Sequence, residues 1–439
     1  MIGPGRRPMS PLPPLLPVRQ RLRAAPLADI EGTVHRQVLA SRLRERLRPG
    51  ARVAITAGSR GIANIDRIIA ATVRALRTLG FEPFIVPAMG SHGGGTAEGQ
   101  VEVLRALGIT EERVGAPIRS SMAVVRIGQT PEGMPVHVDR LAWEADGIVV
   151  VNRVKKHTDF TGPIESGLLK MIAIGLGKKT QAELIHAYGA EGLRRFIPAV
   201  ARVVLATGRI VLGLAVLEDG YDQTAAIVAV EPEEMEAVER RLLRRAKAWL
   251  PRLPFTTLDL LIVDWMGKDI SGTGMDTNVI GRVRIPGERD PRRPRVRLLV
   301  VLDLTPASHG NAIGLGLADL TTARLLAKMD RETTYVNGIT SGFLERVKIP
   351  VVLPDDRTAI ETALSRLDPE TAANPRVVRL RDTLHLGEFF ISPALRAEAE
   401  ARGLEIVGPP QPVRFSPDGR IEPFEQAFPG LAHRAAVGH

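Results

Sequence analysis

The chain contains no cysteine among its 439 residues. This absence excludes disulfides, iron–sulfur clusters, thiolate zinc sites and cysteine nucleophiles. Any metal ion must therefore be held by His, Asp or Glu side chains, or by a cofactor that brings its own donor atoms. A chain without cysteine is also suited to a reducing compartment, and we expect the protein to be cytoplasmic.

Long apolar segments are lacking too. The most apolar stretch, residues 203–217, is interrupted by Arg209 and two glycines, and it is shorter than the roughly 18 apolar residues that a membrane span requires. Several prolines interrupt the first 18 residues, so this segment is not expected to form the helical apolar core of a signal peptide. We therefore expect no membrane partner.

Aromatic residues are few, at 4% of the chain, although the formal net charge is +10. Much of the positive excess lies in the first 50 residues, where ten arginines accompany three acidic residues. Four of these arginines lie in a predicted helix that ends before Pro49: Arg42, Arg44, Arg46 and Arg48. Because no aromatic residues are interleaved with them to stack bases, a solvated basic helix is favoured over nucleic-acid binding.

The remaining composition is that of a folded protein with more than one domain. Hydrophobic residues make up 44% and charged residues 25%, which excludes overall disorder. At about 100 to 200 residues per domain, the length predicts two or three domains. A charged helix over 233–250 is followed by Pro251, Pro254 and a new strand, so we expect domains at residues 1–250 and 251–439.

Both halves alternate apolar strands with amphipathic helices. In the first half we predict strands at 52–57, 84–87 and 147–152, a helix at 62–79, and a helix that has Thr96 as its N-cap and runs to Leu107. In the second half we predict strands at 258–264, 296–303, 350–353 and 377–381, helices at 311–329, 357–367 and 393–402, and an irregular tail after residue 408. The pattern indicates two α/β domains with parallel-rich sheets, with an active-site cleft between them.

Polar loops follow the three strands of the first half. The first loop contains Ser59 and Arg60, the second places His92 among four glycines, and the third ends at His157. Glycines let the backbone approach a ligand closely, and main-chain N–H groups can face an anion. The His92 loop is neither a P-loop nor a dinucleotide fingerprint, and a purely structural histidine remains an alternative.

Lysine is scarce, yet it is concentrated near the third loop. Only nine of the 59 basic residues are lysines, and five of them fall between residues 155 and 179. Unlike arginine, lysine can lose its proton and form a covalent bond to a carbonyl or thioacyl carbon. Lys170 stands in an apolar setting that favours such a role, whereas Lys178 and Lys179 are equally well explained as a surface patch.

The segment 152–189 is the richest in reactive groups. It contains His157, Asp159, Glu165, Lys170 and His186, which suits either imidazole ligation of a metal or a lysine held for covalent attachment. In the structural alternative, the carboxylates cap helices and His186 is a buried helix histidine.

Taken together, these motifs resemble the nickel-dependent lactate racemase-like family, whose members use a nickel pincer nucleotide. The resemblance covers about residues 50–190. It rests on the arginine loop 58–64, the His92 loop, the Asn-Arg-Val-Lys element that ends at His157, and the spacing of 16 residues between Lys170 and His186.

The resemblance implies a covalently bound cofactor. By this similarity, Lys170 carries a pyridinium-3,5-dithio mononucleotide through a thioamide bond, and His186 is the side-chain ligand of its nickel. We assign Ser59 and Gly93 to cofactor binding as well, and we expect cofactor-biosynthesis proteins as partners. The cofactor would bring the sulfur that a cysteine-free chain lacks.

The resemblance also assigns the substrate-handling residues. His92 and His157 match the family's acid/base histidines, and Arg60 matches an arginine that binds the substrate. Inversion of a 2-hydroxy acid needs two bases on opposite faces, and an arginine fork suits a carboxylate. Lys268, in a glycine-rich loop of the second half, is expected to contact the substrate carboxylate, although a capped turn explains that loop equally well.

Some positions depart from the family pattern. Gly58-Ser59-Arg60 lacks the usual acidic residue and threonine, and Lys156 replaces a frequent proline before His157. We therefore predict a divergent racemase or epimerase acting on a 2-hydroxy acid or sugar acid. Two alternatives remain open: a zinc or manganese hydrolase or lyase using His92, His157 and Asp159, and a non-catalytic small-molecule-binding protein.

Overall fold

The structure is a computed structural model that describes residues 12–59 and 61–429. Arg60 and most of the proline-rich N-terminal segment lie outside the described residues. The chain divides into two compact units: Arg23–Leu250, and a second unit that combines the residues before Arg23 with those from Pro251 onward. The expected 1–250 domain differs from this grouping at its start, because strand β1 (Leu16–Arg19) pairs with strands of the second unit.

The N-terminal unit is built on a five-stranded sheet and a separate hairpin. The sheet strands are β2 (Arg52–Ala57), β3 (Glu82–Pro87), β6 (Gly147–Arg153), β7 (Ile210–Glu218) and β8 (Thr224–Val230), and the hairpin strands are β4 (Val124–Gln129) and β5 (Pro135–Asp139). The sheet order is β3-β2-β6-β7-β8. All neighbours are parallel except β7 and β8, as expected for strands joined by helical crossovers.

Ten α-helices belong to the described part of this unit: α1 (Ile30–Leu39), α2 (Leu43–Arg46), α3 (Ile65–Thr78), α4 (Ala97–Ala106), α5 (Glu111–Val114), α6 (Arg140–Trp143), α7 (Leu168–Lys170), α8 (Lys178–His186), α9 (Gly189–Ala206) and α10 (Met235–Trp249). A π-helical turn over Met171–Gly175 separates α7 from α8. Helix α3 buries one apolar face, including Ile68, Ile69 and Leu76, in the core shared with β2 and β6.

Arginines of the basic N-terminal region form ion pairs with glutamates of the same unit. Arg42 and Arg46 lie at the two ends of α2, and both form ion pairs with Glu233, at 3.1 and 2.8 Å. Arg46 also lies 3.1 Å from Glu231. Two of the four arginines in this predicted basic helix are therefore engaged by carboxylates that precede α10.

The C-terminal unit contains an eight-stranded mixed sheet in the order β12-β11-β10-β9-β13-β14-β1-β15. Its further strands are β9 (Thr257–Met266), β10 (Arg295–Leu304), β11 (Leu320–Thr322), β12 (Val351–Leu353), β13 (Val377–Leu380), β14 (Glu388–Ile391) and β15 (Glu405–Ile406). The run from β12 to β13 is parallel and the remainder is antiparallel. The predicted α/β class with parallel-rich sheets is confirmed.

The helices of this unit are α11 (Thr277–Ile280), α12 (Ala323–Lys328), α13 (Arg331–Ser341), α14 (Asp356–Leu364), α15 (Pro369–Ala373), α16 (Arg396–Ala401) and α17 (Phe424–Ala427). The predicted helix at 311–329 is wrong, because β11 lies inside it and pairs with β10 and β12. Thr322 then caps the short α12 by accepting the Leu325 N–H. Among the described residues, no helix has both the length and the apolar character needed to cross a membrane.

Candidate active site

The three strand-end loops of the N-terminal unit lie at one edge of the sheet. Strands β3, β2 and β6 are adjacent and parallel, so their carboxyl ends share that edge. Ser59, after β2, places its hydroxyl oxygen in a short hydrogen bond with Nδ1 of His92, after β3. The structure therefore brings two of the predicted site residues into direct contact.

The π-helical turn after Lys170 packs against both of these loops. All five residues of Met171–Gly175 are buried. A Cβ added to Gly58 would lie 3.0 Å from the Met171 methyl carbon, and one added to Gly90 would lie 3.1 Å from an Ile174 methyl carbon. Such π-helical turns occur frequently at functional sites, and here the turn sets Lys170 next to the strand-end loops.

Lys170 contacts the histidine of the third loop. Its Nζ lies 2.6 Å from His157 Nε2. On the other side of the ring, the Asp159 N–H donates to His157 Nδ1 at 3.1 Å, and Phe160 packs with its ring centroid 4.7 Å away. The amine and the imidazole are close enough to exchange a proton.

The third loop is held by a buried carboxylate. Glu165 has no exposed surface and accepts the His157 N–H at 2.8 Å and the Gly162 N–H at 2.9 Å. Lys247 of α10 donates to the same carboxylate at 2.5 Å. Glu165 therefore acts as a structural anchor for the loop, although it does not cap a helix.

His186 ends α8 with a buried ring nitrogen. Its Nδ1 has no hydrogen-bond partner among the described residues. Burial lowers the pKa of His186 to about 4, and the charge of Lys170 acts in the same direction, with Asp159 opposing it. The ring is therefore neutral near pH 7, and a neutral imidazole with an unpartnered nitrogen is the form that ligates a metal ion.

Glu239 of α10 was not singled out from the sequence. Its carboxylate accepts the Leu169 N–H at 2.9 Å, at the start of the helix that carries Lys170. Burial raises the pKa of Glu239 to about 7, while N–H groups of Leu169 and Leu168 act against this shift. Glu239 is 70 residues from Leu169 in sequence. No local sequence pattern identifies it, because its burial is known only from the structure.

Lys178 and Gln100 connect α8 to the His92 loop. Lys178 is fully buried, so the surface-patch interpretation is wrong for it, whereas the Lys179 side chain is 55% exposed. Lys178 Nζ lies 3.1 Å from Gln100 Oε1. Gln100 Nε2 in turn donates to the carbonyl oxygens of Gly90 and His92, at 2.9 and 3.2 Å.

Lys268 belongs to the C-terminal unit, in the loop after β9. Its Nζ donates to the Gly272 carbonyl at 2.8 Å and to Asn337 Oδ1 at 3.0 Å. In the same loop Asp276 accepts the Asn278 N–H at 2.8 Å and caps α11, as the capped-turn alternative anticipated. Arg60 lies outside the described residues.

A metal site built from protein side chains alone is not found in the described ranges, 12–59 and 61–429. No group of three or more His, Asp or Glu side chains within them is arranged to hold a metal ion. A lone histidine such as His186 can still ligate a metal whose other donors come from a cofactor.

Comparisons with known proteins found one matching family model and several similar solved structures. Residues 17–192 match the family model described as the lactate racemase N-terminal domain. A search of curated proteins found no match. The chain is similar to the lactate racemase apoprotein from Thermoanaerobacterium thermosaccharolyticum, with 12% identity and a TM-score of 0.51, over 85% of this chain and 99% of that one. At this identity the likeness shows the fold.

A second solved structure, a Thermotoga maritima protein from a structural genomics programme, is 17% identical. The match covers 80% of this chain and 87% of that one, with a TM-score of 0.48. A score at this level carries no argument about fold or function.

Proposed function

We propose that this chain, whose residues 17–192 match the lactate racemase N-terminal domain model, is a racemase or epimerase that inverts the carbinol carbon of a 2-hydroxy acid or sugar acid. The observation that carries this proposal is the position of Lys170. Its amine lies 2.6 Å from His157 Nε2, and its charge acts on the buried His186 ring. A nucleophilic amine, a base and a metal-ligating imidazole are thus gathered on one short segment.

The cofactor in this proposal is a nickel pincer nucleotide, joined to Lys170 through a thioamide. His186 fits the nickel, because its Nδ1 is buried and unpartnered among the described residues and its ring is neutral. When bound, the group supplies sulfur donors for nickel and a hydride acceptor for the carbinol carbon. Ser59 and Gly93, in the first two loops, are proposed to contact it.

His157 has two roles in this scheme. The Lys170 amine must be unprotonated to hold the cofactor as a thioamide, and its Nζ lies 2.6 Å from His157 Nε2. Because Nδ1 of the same ring accepts the Asp159 N–H, the neutral ring carries its hydrogen on Nε2 and can donate it to the unprotonated amine. With the cofactor bound, the same imidazole nitrogen would exchange a proton with the substrate hydroxyl, and Glu165, which accepts the His157 N–H, holds the loop that carries the ring.

His92 is proposed as the second acid/base residue. Its Nδ1 is hydrogen-bonded to the Ser59 hydroxyl, and we propose Nε2 as the nitrogen that meets the substrate. His92 and His157 come from different strand-end loops, so they can serve opposite faces of the carbinol carbon. For the substrate carboxylate we propose Arg60, which is next to Ser59 in the chain.

The test is intact mass and metal analysis of protein made in a host that synthesises the cofactor, followed by peptide mapping across Lys170. We expect a nickel-containing adduct on Lys170, its absence in K170R, and its retention in K179R, which changes an exposed lysine of the same segment. H186A should keep the organic adduct and lose nickel.

Unmodified Lys170 in such a host, together with stoichiometric zinc or manganese, would overturn the proposal in favour of a hydrolase or lyase. Circular dichroism of each variant shows whether the fold is retained. With the adduct established, a screen of hydroxy acids and sugar acids for racemisation identifies the substrate.

A further inference from the structure

The C-terminal unit contains a cavity of about 660 Å³. It is lined by the first residues of β9 and β10 and by the segment that follows α11. Its volume lies within the range of about 300 to 1,000 Å³ that is typical of small-molecule sites. Neither the sequence motifs nor the proposed racemase chemistry uses this region.

The lining of the cavity is rich in arginine. Five guanidinium groups border it: Arg282, Arg284, Arg292, Arg295 and Arg297. Three aspartates are also present, and none of the described lining residues is aromatic or a lysine. The lining therefore carries a formal excess of positive charge, and it offers planar guanidinium forks instead of ring faces on which a base could stack.

The three aspartates already have partners. Asp259 and Asp290 each accept a backbone N–H, at 2.8 and 2.7 Å. Asp319 forms an ion pair at 2.7 Å with Arg282, which is buried. Arg282 neutralises Asp319, whereas Asp259 and Asp290 keep their charges; the five lining arginines still outnumber the three aspartates.

Three arginines remain for a ligand. Arg292 and Arg295 are exposed and form no ion pair or side-chain hydrogen bond among the described residues, while Arg284 approaches its nearest carboxylate, on Asp319, only to 3.9 Å. Arg284 also adopts a left-handed backbone conformation, with φ of 45°. Such a conformation is unfavourable for arginine, and it points to a local geometry set by the surrounding loop.

We propose that this cavity binds a small anion that carries a diphosphate or triphosphate group. A guanidinium group can donate two parallel hydrogen bonds to a pair of phosphate oxygens. Three such groups around one cavity suit a ligand with several phosphate charges better than a ligand with a single carboxylate. The site lies at the amino-terminal ends of β9 and β10, whereas the Lys268 loop follows the carboxyl end of β9. It is therefore a second site within the same unit, and it stands independently of the proposed racemase activity.

The test is calorimetric titration of the full chain with inorganic tripolyphosphate and pyrophosphate. The double variant R292Q/R295Q removes two lining charges. The matched control, R289Q/R293Q, removes two exposed arginines of the same segment that do not line the cavity. We expect saturable binding by the wild type and the control within about twofold of each other, and a dissociation constant raised at least about tenfold in the cavity variant.

Equal weakening in both variants would show general charge attraction and would overturn the proposal, as would the absence of saturable binding by the wild type. Thermal unfolding of both variants without ligand checks that the loop remains folded. Orthophosphate at the same concentration separates the effect of one phosphate group from that of two or three.

Discussion

Lys178 Nζ lies 2.9 Å from Asp139 Oδ2, and neither side chain has any exposed surface. The same amine donates to the Pro87 carbonyl, at the end of β3, at 2.5 Å. Burial lowers the pKa of the Lys178 amine, while Asp139 acts against this shift. Lys178 also has a left-handed backbone conformation, with φ of 54°. This strained residue therefore ties the start of α8 to β3 and β5 through one buried charge.

Replacement of Lys178 by Met should destabilise the N-terminal unit strongly. The substitution removes the ammonium and leaves the Asp139 carboxylate buried without its counter-charge, which typically costs about 3 to 5 kcal/mol. Chemical unfolding at pH 7 measures the change. K179M, next to it on the same helix but exposed, should change stability by less than about 0.5 kcal/mol; equal losses in the two variants would contradict a special role for the buried pair.

Gln100 should control the order of the His92 loop. Gln100 is buried and holds the carbonyl oxygens of Gly90 and His92. We expect Q100L to accelerate hydrogen exchange of the loop amides at residues 90–96 by at least about tenfold, because it removes both restraints. Q37L is a suitable control: Gln37 accepts the Ala229 N–H elsewhere in the unit, so exchange in the His92 loop should not change.

Local patterns predict much of this fold, and tertiary contacts decide the rest. The strand at 52–57 and the Thr96 cap of α4 follow from short apolar runs and capping chemistry, and both agree with the structure. The three-residue β11 has no such signal, because its pairing with β10 and β12 outweighs the helical periodicity around it. Likewise, β1 joins strands more than 365 residues away in the chain.

In the candidate site, too, the sequence identifies some residues and not others. Sequence spacing selects His157, Lys170 and His186, since they stand close together in the chain. It cannot select Glu239, which reaches Leu169 across 70 residues, nor distinguish the buried Lys178 from the exposed Lys179. Those distinctions depend on which helix faces the sheet, a property that only the assembled unit defines.

Glu239 should make stability fall as pH rises through neutrality. Its pKa is about 7 in the folded protein against an ordinary value of 4.5 for a glutamate, so the folded state binds the extra proton between these values. The stabilisation is fully present below pH 4.5 and is lost as pH rises through 7, with a total change of about 3 kcal/mol. E239Q stays neutral and keeps an acceptor for the Leu169 N–H, so its advantage over the wild type should grow from pH 5 to 8.

Urea unfolding of wild type and E239Q at four pH values between 5 and 8 measures this difference. E236Q serves as the control on the same helix. Hydrogen bonding with Arg202 lowers the pKa of Glu236, so the contribution of Glu236 ionisation to the free energy of unfolding changes only at acidic pH. The charge of Glu236 adds only a minor part to the raised pKa of Glu239, so the difference between E236Q and wild type should change far less from pH 5 to 8 than that for E239Q. A constant difference for E239Q would contradict the role of the buried carboxylate.

Gly167 should be intolerant of alanine because Glu239 occupies the space of a Cβ. An added Cβ would lie 2.4 Å from the carboxylate carbon of Glu239, so either the carboxylate or the start of α7 must move, at a cost of about 1 to 3 kcal/mol. G61A, at an exposed glycine where no atom of residues 12–59 or 61–429 comes within 4 Å of the added Cβ, should be nearly neutral. In the G167A/E239A double variant the two losses should not add, since removal of the carboxylate makes room for the methyl group. Fully additive losses would mean that the two residues do not compete for this space, and that the position of Lys170 is set by other contacts.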